Sequence, residues 1–148
     1  MSEFTIDTDL GYKALMDDVK KLKKEPYVKV GVLGESGSEL ATYAGANEFG
    51  TRDGRIPERS FIRSTMDQNR FALFQQANRF LDQISAGSIT PTKALGLLGE
   101  FIRGQIVSKI TTLQDPPNAP STILKKGSAN PLIDEGRMRQ AIAWEVKS

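Results

Sequence analysis

The sequence predicts an α+β fold: a small antiparallel sheet flanked by two or three helices, with long loops. Residues 27–33 and 142–147 alternate apolar and polar side chains, which is the period of half-buried strands. Several segments between them place apolar residues every three or four positions, as amphipathic helices do. A chain of 148 residues has the usual size of one domain. We therefore expect residues 1–148 to form a single domain in which the two strands pair.

The first predicted element is a helix over residues 8–24, within an N-terminal segment 1–26. Thr8 or Asp9 can cap its start. Lysines crowd its last turn, where the helix dipole favours cations. Pro26 closes the helix because proline cannot continue it.

A strand, a loop and a short helix are predicted next. The strand places three valines on one face: Val28, Val30 and Val32. Residues 34–39 form a turn or mobile loop, and residues 40–50 form a compact helix. Gly50 ends that helix because glycine readily adopts the left-handed conformation.

The longest helix is predicted from Pro57 to Ser85, with a possible interruption near residues 67–69. Glu58 would lie at the positive end of its dipole. We expect a broad apolar stripe along it, formed by Phe61, Ile62, Met66, Phe71, Leu73, Phe74, Ala77, Phe80, Leu81 and Ile84.

The clearest helix start lies at Thr90, the predicted N-cap, and Pro91, the first helical residue. This helix runs to about Leu113. Three glycines, each weakening it by about 1 kcal/mol relative to alanine, are Gly96, Gly99 and Gly104. Either another backbone packs very close along this side, or the helix tolerates the cost.

Residues 114–136 form a long irregular connection, a kind of segment that is usually functional or disordered. Within it, residues 120–127 predict a short helix closed by Gly127. The last strand, 142–147, contains the only tryptophan, Trp144.

Composition excludes several classes of protein. Without cysteine or histidine, the chain has no disulfide, no thiolate metal site and no histidine general base. Its formal net charge of +2 does not demand a basic nucleic-acid face. No apolar run reaches the length of a membrane helix, and the acidic, polar N-terminus is unlike a signal peptide. We expect a soluble, non-enzymatic protein from a reducing compartment, without cofactor, metal or membrane partner.

Three segments contain residue types that could support chemistry. The glycine-rich residues 31–37 lack the lysine and serine or threonine of a P-loop. Asp17 and Asp18 would point about 100° apart on a helix, so they cannot easily share a proton. Asp134 and Glu135 lie in a turn, where Asp134 more plausibly bonds its own backbone. None of them predicts an enzyme.

The stretch GTRDGRIPERSFIRSTMDQNR, residues 50–70, leaves three interpretations open: a solvated helix face, a subunit contact, or a grip on nucleic-acid phosphate. Arg59 and Arg63 are four residues apart and would share one helix face. Interspersed acidic residues argue against a phosphate track. The arginines concerned are Arg52, Arg55, Arg59, Arg63 and Arg70.

Two stretches resemble a family: YAGANEFGT with IPERSFIR, and PSTILKKG with PLIDEGRMRQAIAWEV. The family is that of tailed-bacteriophage neck and tail-completion proteins, also called head–tail joining or virion morphogenesis proteins. The resemblance covers residues 27–147. The matching positions are Asn47, Glu48, Phe49 and Gly50, then Pro57, Arg59 and Phe61, then Pro131, Leu132, Ile133, Asp134 and Gly136. Ser60 and Glu135 depart from the pattern, where a proline and a small residue are common.

The resemblance implies a structural virion protein, made in the bacterial cytoplasm, that forms a ring at the head–tail junction. The ring would be most often sixfold and would complete the tail or join it to the connector. Its partners would be copies of itself and adjacent neck, connector, tail-terminator or tail-tube proteins. DNA would pass through without sequence-specific contact. The alternative is a DNA-binding accessory protein that uses the arginines of residues 52–70.

The matched motifs predict mainly folding roles. Asn47 and Glu48 would cap or cross-link loop backbone, Phe49 would pack under the turn, and Pro57 would fix the helix start. Partner contacts are expected from loops 34–40, 51–57 and 114–130. The candidate subunit-contact or loop-hinge residues are Asn47, Glu48, Phe49, Gly50, Arg52, Arg55, Pro57, Arg59, Arg63, Pro131, Leu132, Asp134, Gly136 and Arg137.

Overall fold

The computed structural model describes residues 11–33, 37–127 and 136–147, and these confirm the α+β class. The helices and strands follow one another as α1 (Tyr12–Leu22), β1 (Tyr27–Val32), α2 (Ser38–Phe49), α3 (Arg63–Gln68), α4 (Arg70–Ser85), α5 (Pro91–Thr112), α6 (Pro120–Lys126), α7 (Arg137–Gln140) and β2 (Ile142–Lys147). The predicted caps of α1, Thr8 and Asp9, lie outside the described residues, within which Gly11 precedes the helix.

The two strands form the antiparallel sheet that their alternation predicted. Tyr27 pairs with Lys147 at one end, and Val32 pairs with Ile142 at the other. A two-stranded sheet is only marginally stable by itself, so it needs a helix against one face. Helix α5 contacts both strands, while α2 contacts β1 and α7 contacts β2.

The glycines of α5 explain how closely the helix approaches the sheet. A Cβ atom on Gly99 would lie 2.8 Å from Val28 Cγ2 and 3.0 Å from Trp144 Cγ. A Cβ atom on Gly96 would lie 3.2 Å from Trp144 Cη2. Close packing is thus confirmed at both positions, although sheet side chains rather than another backbone occupy the space. No atom lies within 4 Å of the corresponding point at Gly104. Close packing therefore does not explain this glycine, and the helix tolerates its cost.

The core lies where α5 crosses the sheet and the segment before α3. Its fully buried apolar side chains are Phe61, Ile106, Ile110, Met138 and Ile142. Helix α5 starts as predicted, because Thr90 Oγ1 accepts a hydrogen bond of 3.3 Å from the Lys93 amide and Pro91 is the first helical residue.

The predicted long helix from Pro57 is wrong at its start. Residues 57–62 are irregular, and the helix begins at Arg63. Its predicted interruption is confirmed at Asn69, which separates α3 from α4. Pro57 therefore does not fix the helix start, and Glu58 does not occupy its first turn.

Two short elements show what local patterns do and do not predict. Helix α6 ends at Gly127, which has a φ of 66°, as the sequence predicted. The single turn α7 after Gly136 was not predicted. It places Met138 in the core just before β2 begins.

Candidate subunit-contact site

The end of α2 and the start of α3 meet at the carboxylate of Glu48. Its Oε2 accepts hydrogen bonds from the amides of Phe61, at 2.8 Å, and Ile62, at 2.9 Å. Its Oε1 accepts from the Arg63 amide, at 2.9 Å, and from Ser60 Oγ, at 2.9 Å. One side chain thus satisfies three amides at the beginning of α3, where a helix lacks internal acceptors. The prediction that Glu48 caps backbone is confirmed.

The environment of Glu48 favours its charged form. The residue is 4% exposed. Burial alone raises the pKa of this carboxyl, but hydrogen bonds from the Ile62 and Arg63 amides, Ser60 and the Phe61 amide outweigh it. The pKa of Glu48 therefore lies below its ordinary value of 4.5.

Arg63 lies on the exposed side of the corner formed by the end of α2 and the start of α3. Its Nε lies 3.1 Å from Glu48 Oε1, and its Nη2 donates to the Glu48 carbonyl at 2.8 Å. The same Nη2 lies 2.7 Å from Glu58 Oε1. The guanidinium also stacks over the Phe49 ring, 4.6 Å from its centroid. Phe49 is 65% exposed, so the prediction that it packs under the turn is wrong.

Asn47 and Gly50 hold the other side of the same corner. The Asn47 carbonyl accepts from the Arg59 amide at 2.7 Å, and Asn47 Nδ2 donates to the Tyr43 carbonyl at 3.0 Å. Gly50 has a φ of 71°, and a Cβ atom there would lie 2.9 Å from the Glu58 amide nitrogen. This conformation and close approach require glycine. Asn47 therefore cross-links loop backbone, and Gly50 supplies the conformational freedom of the turn, as predicted.

Arg59 is a buried cross-link and does not lie on a helix face. It is 6% exposed, and its Nε donates to the Pro116 carbonyl at 2.7 Å. Its Nη2 donates to the Pro117 carbonyl at 3.0 Å. Burial lowers the pKa of Arg59. Arg59 and Arg63 point to different partners, so the predicted shared face is wrong.

The remaining candidates are dispersed. Arg52, Arg55 and Pro57 are exposed, and the last two line an open cleft of about 560 Å³. Arg55 Nε lies 3.2 Å from Asp53 Oδ2. Arg70, also exposed, lies 3.3 Å from Asp67.

The third matched motif is only partly described. Pro131, Leu132 and Asp134 lie outside the described residues. Gly136 is buried, with a φ of 74°, and precedes α7. Arg137 is exposed on that turn.

The exposed apolar surface on α4 was not predicted from the sequence. Phe71 and Phe74 were predicted to belong to one broad apolar stripe, and they are 73% and 64% exposed. Leu81, on the same side, is 51% exposed. Asn78 lies between them, and spacings of three and four place all four on one helix face. We call this face, Phe71, Phe74, Asn78 and Leu81, the α4 stripe. The sequence feature that could have revealed this surface is an apolar pattern too broad for one helix face.

A second apolar surface lies between α5 and β2. It is an open groove of about 630 Å³ whose lining includes Gly96, Leu97, Trp144 and Val146. We call it the α5–β2 groove. Leu97 and Trp144 are 43% and 38% exposed. Glu100 Oε2 accepts a hydrogen bond of 2.8 Å from Trp144 Nε1, which holds the indole in the groove wall.

Within the described residues, no group of three acidic side chains is placed to hold a metal ion. No helix in those same ranges combines the length and apolar character needed to cross a bilayer.

Compared with family models, curated proteins and solved structures, the chain has no match. Its function must therefore be argued from its motifs and surfaces.

Proposed function

We propose that the chain is a structural virion component of a tailed phage. Copies would form a ring, sixfold by the resemblance, at the head–tail junction, where the ring completes the tail or joins it to the connector. Its partners are other copies and the adjacent neck, connector, tail-terminator or tail-tube proteins, and DNA passes through the ring without being read.

The observation that carries the proposal is the α4 stripe. Its two phenyl rings alone expose roughly 250 Å² of side chain, at about 200 Å² per aromatic residue. The largest apolar patch on a typical monomer is about 300–600 Å² and is often functional. With the half-exposed Leu81 added, the α4 stripe approaches that range. An assembly subunit is expected to present such a surface.

The spatial meeting of the two N-terminal motifs supports the resemblance. Glu48 of the first motif binds the Phe61 and Ile62 amides at the end of the second motif, thirteen and fourteen residues later. The Arg59 amide of the second motif bonds Asn47 of the first. The matched residues therefore form one structural unit, which is the arrangement expected if they jointly define a protomer fold.

The DNA-binding alternative has weaker support. Arg59 is buried against backbone carbonyls, and Arg63 is paired with Glu48 and Glu58. Of the five arginines, Arg55 and Arg70 also lie beside aspartates. Phosphate affinity depends on cations that neutralise phosphate, and most of these are already engaged.

The test is a phage lacking the gene, with the gene supplied from a plasmid as the control. The proposal predicts that lysates without the protein contain separate filled heads and tails, and that the plasmid restores joined particles. Joined, infectious virions in its absence would overturn the proposal. Duplex binding by the purified protein that weakens steeply with salt would favour the alternative.

A further inference from the structure

The described part of the chain carries two apolar surfaces of opposite shape. The α4 stripe is convex, because its phenyl rings at Phe71 and Phe74 project into solvent. The α5–β2 groove is an open, shallow concavity lined by Leu97, Trp144 and Val146, and its floor is the Trp144 ring packed against Gly96. Both surfaces stay exposed in the single copy, so neither covers the other.

The size of the stripe suits the centre of a protein interface. A specific interface buries about 800 Å² on each partner. The roughly 250 Å² exposed by Phe71 and Phe74 would supply its apolar core, with Leu81 adding to it. Aromatic anchors in a desolvated pocket commonly dominate binding energy. A partner for the stripe must therefore offer an apolar concavity.

We infer that the α4 stripe of one copy docks into the α5–β2 groove of the next copy. This inference rests on the proposed function and names the contact that would build the ring. Because the contact joins two different surfaces, it is heterologous, and its repetition generates a closed ring or an open filament. A contact between two stripes would instead be isologous, would stop at two copies and would leave the groove open.

Charges at the ends of both surfaces set an orientation. Asp82 follows Leu81 at the C-terminal end of the stripe, and Lys93 lies at the N-terminal end of the groove. Neither side chain forms an ion pair with any described residue. Docking with α4 antiparallel to the neighbour's α5 brings these opposite charges together at the rim.

Cysteine cross-linking of the full-length protein tests the contact, since the chain has no cysteine of its own. One variant carries Asn78→Cys, which lies within the stripe and leaves both phenylalanines in place. A second, with an added mass tag, carries Leu97→Cys in the groove. The control is Leu124→Cys on α6, which is 86% exposed and belongs to neither surface. Even transient docking raises the local thiol concentration, so concentrated protein under mild oxidation reports it.

The inference predicts that the Asn78→Cys and Leu97→Cys pair forms disulfide dimers at least about tenfold faster than either variant paired with the Leu124→Cys control. Faster dimerisation of Asn78→Cys with itself would replace the heterologous contact with an isologous one. A mixed pair no faster than the control would overturn the inference outright.

A charge exchange then tests the orientation. Asp82→Lys on the stripe copy, or Lys93→Asp on the groove copy, should each slow the mixed cross-link at low salt. Both changes together should restore its rate, because the opposite charges face each other again. Failure to restore the rate contradicts the antiparallel arrangement. These measurements use purified protein. They can therefore contradict the proposed contact while the virion proposal stands, and the virion proposal can fail while the contact is confirmed.

Discussion

The guanidinium of Arg63 lies 3.1 Å from the carboxylate of Glu48 and stacks over the ring of Phe49. The pair joins residues fifteen positions apart and closes the corner formed by the two N-terminal motifs. Since Glu48 also holds the amides at the start of α3, the corner depends on a buried negative charge.

We expect Glu48→Gln to destabilise the fold by about 3 kcal/mol, because an amide nitrogen would then face donors that need an acceptor. Urea unfolding followed by the fluorescence of the single tryptophan measures it. Glu58→Gln is the matched control, since its exposed pair with Arg63 is worth less than about 1 kcal/mol. Equal losses in the two variants would show that Glu48 is not the centre of the corner.

The lowered pKa of Glu48 predicts acid sensitivity. The folded state holds this carboxyl ionised to a lower pH than the unfolded state, where the ordinary value of 4.5 applies. The contribution of Glu48 to stability is therefore complete above pH 4.5 and is lost as pH falls through the folded-state pKa. The free energy of unfolding, measured from pH 7 to pH 3, should fall more steeply in the wild type than in Glu48→Gln. Parallel curves would mean that the pKa of Glu48 is not lowered.

Arg59→Lys should loosen the segment that Arg59 clamps. A lysine cannot make the two divergent bonds to the Pro116 and Pro117 carbonyls, so we expect a loss of about 1–3 kcal/mol. Hydrogen exchange around residues 113–119 should quicken. Arg70→Lys, on an exposed side chain, should stay within about 0.5 kcal/mol of the wild type. Unchanged exchange in Arg59→Lys would contradict the clamp.

Two glycines of α5 should respond to alanine in opposite directions. Gly99→Ala would place a methyl group 2.8 Å from Val28 Cγ2, so we expect a loss of about 1–3 kcal/mol. Gly104→Ala meets open space and should stabilise the helix by up to about 1 kcal/mol. Thermal unfolding of both variants and the wild type measures these changes in stability. Stabilisation by Gly99→Ala would mean that the helix does not approach the sheet as closely as described.

The sequence predicted correctly those elements that depend only on residues close together in the chain. Thr90 and Pro91 mark a helix start by their own chemistry, and the alternation around Val30 and Trp144 marks two strands. The start of α3 could not be found this way, because its cap is Glu48, which lies in another helix.

The sequence identified which residues belong to the site better than it predicted where their side chains lie. Asn47, Glu48 and Gly50 do organise loop backbone, yet the spacing of Arg59 and Arg63 wrongly placed them on one helix face. A list of apolar residues does not say which of two faces is buried. The exposure of Phe71 therefore emerged only once α4 was packed against α5.

Reconstruction of the neck of mature particles by electron cryomicroscopy decides whether this chain forms a ring between head and tail, as we propose. The ring proposal predicts density at the junction that fits repeated copies, with Phe71 and Phe74 of each copy seated beside Trp144 of the next. A neck map with every layer assigned to other proteins, and no density for this chain, would contradict it.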